Sequence, residues 1–342
     1  MTDLSIPSFG LHPLHGVHEP TTGNPRRRPR SARRTTSIDM TRDDGSLDPV
    51  YLNGFARDLW TAADGRVAEL DSATLSATVE LISRVVRHVE VTPPVAATSR
   101  LAGAPAMSGF RAAADKAAPE LRRARDLRYT LLDDVPVATL ISGHALSAAN
   151  LLGDVTKSGY LPVADQCAGF ASDGQLLTSL KDGGTVTPTG PPAPDLDHGD
   201  DPWAWHQVPP LPIYGMRRRR RIDVHERSVG LVGIDAMFRD TYVRSDGVET
   251  IIHEYTLDAV VDTQTGIIVE SRATPRVLPW QECPGAVASA ARITGMALQD
   301  LHFRVRQELS GTSTCTHLND LLRSVADAEA LIAWVRGIST DK

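Results

Sequence analysis

The strongest constraint on the fold of this chain is that it repeats itself. Residues 57–93, RDLWTAADGRVAELDSATLSATVELISRVVRHVEVTP, lie without a gap over residues 239–275, RDTYVRSDGVETIIHEYTLDAVVDTQTGIIVESRATP, an offset of 182 positions (239 − 57). The anchors are Arg57-Asp58 with Arg239-Asp240, Asp64-Gly65 with Asp246-Gly247, Thr74-Leu75 with Thr256-Leu257, and Thr92-Pro93 with Thr274-Pro275. These read as turn residues and strand ends, the positions a shared backbone constrains. After small shifts the flanks agree too: 33–39 with 217–223, 109–118 with 301–310, and 129–135 with 315–321. The expectation is two copies of one module, fused and packed as a pseudo-two-fold pair.

Within the second copy, 219–228 and 232–243 have strand character, and 248–262 is a long strand rich in β-branched residues. A TQTG turn at 263–266 leads into a returning strand, 267–275. Residues 286–311 then read as helices interrupted by Gly295 and stopped by Gly311, and 316–337 as a final helix. The first copy follows the same order, with 70–81 and 85–93 as its strand pair. The predicted class is α+β: tandem modules, each an antiparallel strand meander followed by helices. The predicted division is a flexible tail (1–23), a degenerate first module (24–160), a Pro-rich connector (161–215) and a second module (216–342) carrying the site. Trp203 and Trp205 imply that part of the connector docks on a surface. His12, His15 and His18 in the tail are spaced three apart, but Pro13 and Gly16 break any helix that would align them, so they read as solvated.

A formal net charge of -6 argues against nucleic acid as a partner. The two basic runs, 26–30 and 217–221, each open a copy and read as charged guards beside edge strands. The most apolar window, 135–152, carries Pro, His, Ser, Gly and Asn, so no membrane span is expected. The N-terminus lacks the charged and apolar regions of a signal peptide, and three scattered cysteines make no disulfide framework, so a reducing cytoplasm is the expected setting.

Duplicates diverge where one keeps a site and the other loses it. His253-Glu254 opposes Asp71-Ser72, Cys283 has no cysteine opposite it, and Cys315 and His317 oppose residues of YTLLDD. Thiolate and imidazole are the side chains that hold zinc or iron. The expected metal ligands are therefore His253, Cys283 and Cys315, with His317 or Glu254 as a fourth ligand or proton donor. Each also has a bland reading, as a small buried thiol, a core histidine or an outward-facing histidine. Glu254 should point away from His253, because strand neighbours alternate faces. Thr316 is expected to cap the last helix, placing Cys315 at its positive end, where a thiol pKa falls.

Two resemblances rest on these residues. The stretch IHEYTLDAVVDTQTGIIVESRAT, a cysteine some ten residues on, and CTHLNDLL resemble a bacterial domain family of unknown function with an IH[DE] strand and a GCTHL helix start, over about 217–325. More distantly, the layout is similar to iron–sulfur scaffold proteins of the NifU/IscU type, whose sites fall near His253-Glu254, on Cys283 and on Cys315. The first scaffold thiolate is replaced here by His, no His precedes Cys315, and the Leu-Pro-Pro-Val-Lys signal is missing. Those departures fit a site for one ion better than cluster assembly. The leading expectation is a metal-binding protein, zinc or iron, with hydrolysis or lyase chemistry if one position stays open to water. The alternatives are a metal-free thiolate enzyme with Cys315 as nucleophile and His317 or His253 as base, and a non-catalytic module binding a small molecule or protein in a groove between the copies.

Overall fold

The computed structural model describes residues 16–46, 48–149, 151, 163–182, 187–197 and 201–337. Eight strands form one antiparallel sheet: β1 (Ser31–Thr41), β2 (Val50–Thr61), β3 (Val67–Glu80), β4 (Val85–Thr92), β5 (Met216–Ser228), β6 (Leu231–Val243), β7 (Glu249–Asp262) and β8 (Ile268–Val277). Their order is β4-β3-β2-β1-β5-β6-β7-β8, so two four-strand meanders run outward from a central β1–β5 seam. The chain is a mixed α+β structure.

The seam corrects the reading of the second arginine run. Residues 217–221 lie in β5, at the centre of the sheet, and Arg217, Arg218, Arg220 and Arg221 are all buried. Cross-strand register makes this tolerable. β1 and β5 pair from Ser31↔His225 to Met40↔Met216, which sets Arg33 opposite Asp223 and Asp39 opposite Arg217. Each pair closes a two-bonded fork, Arg33 to Asp223 at 2.6 and 2.8 Å and Arg217 to Asp39 at 2.6 and 2.7 Å. Buried guanidinium is stable only with its charge paired and its donors used.

The two meanders share irregularities as well as order. The β2–β3 register slips between Asp58 and Leu59, and the β6–β7 register slips between Asp240 and Thr241. The β3–β4 and β7–β8 registers slip at Thr78/Val79 and Val260/Val261. Both correspondences fall at the 182-residue offset seen in the sequence. Gly65 and Gly247, in matching turns, both adopt the left-handed conformation (φ 86° and 83°) that favours glycine.

One sheet face is covered by helices. In chain order they are α1 (Phe110–Ala117), α2 (Pro119–Arg123), α3 (Leu127–Ile141), α4 (Gly143–Ala148), α5 (Gln175–Lys181), α6 (Leu301–Glu308), α7 (Thr316–Ser324) and α8 (Ala328–Val335). Asp126 caps α3 by accepting from the Arg128 amide. α3 lies over β1–β3, α7 touches β6 and β7, and α8 crosses β1 and β5. Two apolar clusters fill this layer, one per meander. A buried ionic cluster joins them: Asp133 of α3 accepts from Arg323 of α7 at 2.9 and 3.1 Å, Asp320 accepts from Arg111 at 2.7 Å and Arg218 at 2.8 Å, and Arg220 meets both Asp134 and Asp320.

The final helix expected over 316–337 breaks at a 3₁₀ turn, Val325–Asp327, where buried Asp327 accepts from Thr130 at 2.9 Å. Residues Cys283–Ile293 form a 3₁₀ segment instead of an α-helix. The other sheet face is covered by the later part of the connector, around 194–197 and 201–209. Trp205 is buried there, and His206 sits between Thr35 Oγ1 (3.0 Å) and Ser37 Oγ (2.7 Å). Residues 16–19, within the stretch 1–23 read as tail, instead run along the end of β8: the Glu19 amide donates to Arg276 O at 2.7 Å and His18 bridges to Val277. His12 and His15 lie outside the described residues. No helix among the described residues is long and apolar enough to cross a membrane.

Candidate functional site

The site is built where β6, β7 and the start of α7 meet. Asp240 and His253 are direct cross-strand partners, and the register slip falls immediately beside them, leaving Ile252 without an opposite residue. A bulge of this kind re-aims side chains. Alternation with Tyr255 and Leu257 makes His253 face the helix layer, where its ring stacks on His317 with centroids 3.7 Å apart, and the slip brings Ile252 into the core as well. Asp240, His253 and His317 each present a ligand atom within 4.8 Å of the others, and among the described residues no other group of three His, Cys, Asp or Glu does so.

The electrostatics follow from Asp240. Its carboxylate is fully buried and accepts from Arg218 at 2.8 and 2.9 Å. Burial pushes its pKa up, but Arg218 and the two imidazoles prevail and hold it below the usual carboxylate range. His317 is pushed well below the usual imidazole range by burial and by the His253 charge, against the pull of Asp240. At neutral pH it is therefore uncharged, the form that binds metal. His317 Nε2 has no hydrogen-bond partner, and neither has His253 Nδ1, which stands 3.4 Å from Asp240 Oδ2. Both rings keep partial exposure. Phe238 lies beneath, its centroid 6.4 Å from His317 and 4.7 Å from the Arg218 guanidinium.

The cysteines form a different neighbourhood. Cys167, Cys283 and Cys315 are free and buried. They interact electrostatically around the Tyr255 hydroxyl, which burial first, then Cys315 and Cys283, hold well above the usual phenol range. Cys315 itself, not Thr316, is the N-cap of α7. The amides of His317 and Leu318 pull its pKa down as a helix start should, but burial and the charge of Cys167 outweigh them and push the thiol up to about 11. The expected thiolate is thus a neutral thiol. Burial and the other two sulfurs also raise Cys283.

Of the residues singled out from sequence, His253 and His317 are brought together. Cys283 and Cys315 join each other and Cys167, without completing a three-ligand group with His253. Glu254 is not at the site: it points through the opposite face of β7, where Arg239 Nε donates to it at 2.6 Å and the Thr21 amide at 2.7 Å. That is the consequence of strand alternation. Asp240 was missed. Its signal was the Arg-Asp pair repeated at 57–58 and 239–240, which marked it as a fold residue; it is that and a candidate site residue together.

Residues 216–331 match the model of a family described as Protein of unknown function (DUF2889). The matched segment runs from the first residue of β5 into α8 and contains Asp240, His253 and His317. No curated protein matches the chain, and no solved structure does.

Proposed function

We propose that this protein binds one divalent metal ion, zinc or iron, through Asp240, His253 and His317. The observation that carries the reading is the unpartnered His317 Nε2, close to His253 Nδ1 and the buried Asp240 carboxylate in a group whose ligand atoms lie within 4.8 Å of one another. An unpaired polar atom in a buried site costs about 1–3 kcal/mol, which an ion would relieve. Two imidazoles and a carboxylate suit zinc and non-haem iron, and leave coordination positions for water or substrate. Arg218 fills the supporting role, fixing the Asp240 carboxylate from behind. A water on such an ion is acidic enough to act as hydroxide near neutral pH, which makes hydrolysis or lyase chemistry the reaction class proposed.

The scaffold likeness puts ligands on Cys283 and Cys315 instead. Neutral buried thiols around Tyr255 support that assignment less well than the imidazole pair, and they equally disfavour Cys315 as a free nucleophile. We further infer that the halves arose by duplication and that only the second retains the site. The matching bulges support this, and so does the Arg34–Asp58 pair (2.8 Å), which repeats the cross-strand Arg218–Asp240 pair, with Asp58 at the 182-residue offset and Arg34 two residues out of it. Opposite Asp58, however, stands Asp71 where His253 would be. The test is elemental analysis of protein purified without chelator. About one zinc or iron per chain is expected, falling to background in His253→Ala and His317→Ala variants that retain the wild-type circular dichroism spectrum. No metal in the wild type ends the reading.

A further inference from the structure

On and beside the sheet face under the connector, five arginines have a carboxylate: Arg27 with Asp201, Arg33 with Asp223, Arg217 with Asp39, Arg221 with Asp235, and Arg239 with Glu254. Arg57 and Arg219 have none within 4.0 Å among the described residues; each stacks on a tryptophan instead, Arg57 on Trp203 at 5.5 Å and Arg219 on Trp205 at 5.7 Å. Arg57 is only 8% exposed, its Nε is unpartnered, and its one hydrogen bond is a long one, 3.4 Å, to Trp203 O. A nearly buried guanidinium without a counter-charge is costly.

Register shows what is missing. In the second meander Arg239 lies directly across from Glu254, and the buried carboxylate takes up the charge. In the first meander the same position across from Arg57 is Ser72. Directly opposed residues share a sheet face with Cβ atoms about 5 Å apart, so the shorter serine offers Arg57 no carboxylate where Glu254 offers one to Arg239. The charges around Arg57 do not replace it: Glu69 and Asp201 attract it, but Glu69 is exposed, Asp201 is committed to Arg27, and Arg27 and Arg33 add positive charge. Buried His206, between Arg57 and Arg219, is kept neutral by burial and by those cations.

We propose that the place opposite Arg57, beside Ser72 and under Trp203, is a binding site for an oxyanion group, a carboxylate or phosphate carried by a small molecule. The guanidinium fork matches both geometries. Ser72 stands where Glu254 stands in the other half, so the ligand takes the part of a missing side chain.

The test uses the full chain stripped of metal, so its result does not depend on the metal reading. Sodium phosphate and citrate are titrated in separate calorimetric runs, with chloride at matched ionic strength as reference, and Trp fluorescence is followed. Saturable binding of at least one anion is expected, with quenching or enhancement from the stacked Trp203; whichever binds tighter separates phosphate from carboxylate. Ser72→Glu rebuilds the Arg239–Glu254 arrangement internally and should weaken binding at least tenfold while raising the melting temperature. Arg57→Gln should weaken binding as much, and Glu69→Gln, which removes a competing charge, should tighten it. Wild-type binding no stronger than chloride, or unchanged affinity in Ser72→Glu and Arg57→Gln, overturns the proposal.

Discussion

Replacing Asp39 by Ala isolates the claim that arginines can occupy the centre of this sheet because register pairs them. Asp39 Oδ1 and Oδ2 accept from Arg217 Nε and Nη2 at 2.6 and 2.7 Å, and the two side chains are 10% and 3% exposed. Without the carboxylate, Arg217 keeps one acceptor, Pro209 O, and a full buried charge. Breaking a buried pair from one side costs about 3–5 kcal/mol, against about 0.2–1 kcal/mol for an exposed pair. The single retained acceptor and the shallow exposure of Asp39 put the expected loss near the lower end, about 3 kcal/mol. Urea denaturation with an unchanged m-value measures it. The double variant Asp39→Leu/Arg217→Met, which removes both charges, should recover most of the loss. A single-variant loss under about 1 kcal/mol would refute the reasoning, because it would make the seam ion pairs equivalent to surface ones.

Cys315, with its thiol pushed up to about 11 inside the apolar cluster, should react with a disulfide reagent at pH 7.5 only after denaturation; prompt labelling of native protein would contradict its burial. Burial and three arginines lower His206 to about 2, so below pH 6.5 the unfolded chain takes up a proton there that the native state refuses. Stability from this group is therefore complete above about pH 6.5 and declines as pH falls toward 2, by about 1.4 kcal/mol per unit. His206→Asn should flatten the difference between urea midpoints at pH 7 and pH 5, and an equal slope in the variant would assign the pH dependence elsewhere.

Much of the sheet was legible because strand content and turns are local properties. Asp246-Gly247 and the TQTG turn mark chain reversals wherever they occur. The arginine run was not legible in the same way. A strand of five arginines reads as exposed until Asp39, 178 residues away, is known to lie across from Arg217. Only the pairing of β1 with β5 supplies that knowledge. At the site, comparison between the copies singled out His253 and His317, since neither has a counterpart. The same comparison hid Asp240, because Asp58 duplicates it for structural reasons. The Cys315 thiol was misjudged from its helix start: capping amides do favour thiolate, but the density of apolar groups from three separate segments decides the balance, and those segments meet only in the fold. Cys167, remote in sequence, joins them when the amide of Ala168 donates to Thr314 O at 2.9 Å.

Titration of metal-free protein with cobalt(II), followed by visible absorption, tests the central claim most directly. The account predicts one cobalt per chain with d–d bands, abolished in His253→Ala and in His317→Ala and retained in Cys315→Ser, since the proposed ligand group is Asp240, His253 and His317. Absence of a saturable spectrum, or bands that survive loss of both histidines and vanish with Cys315→Ser, would contradict it.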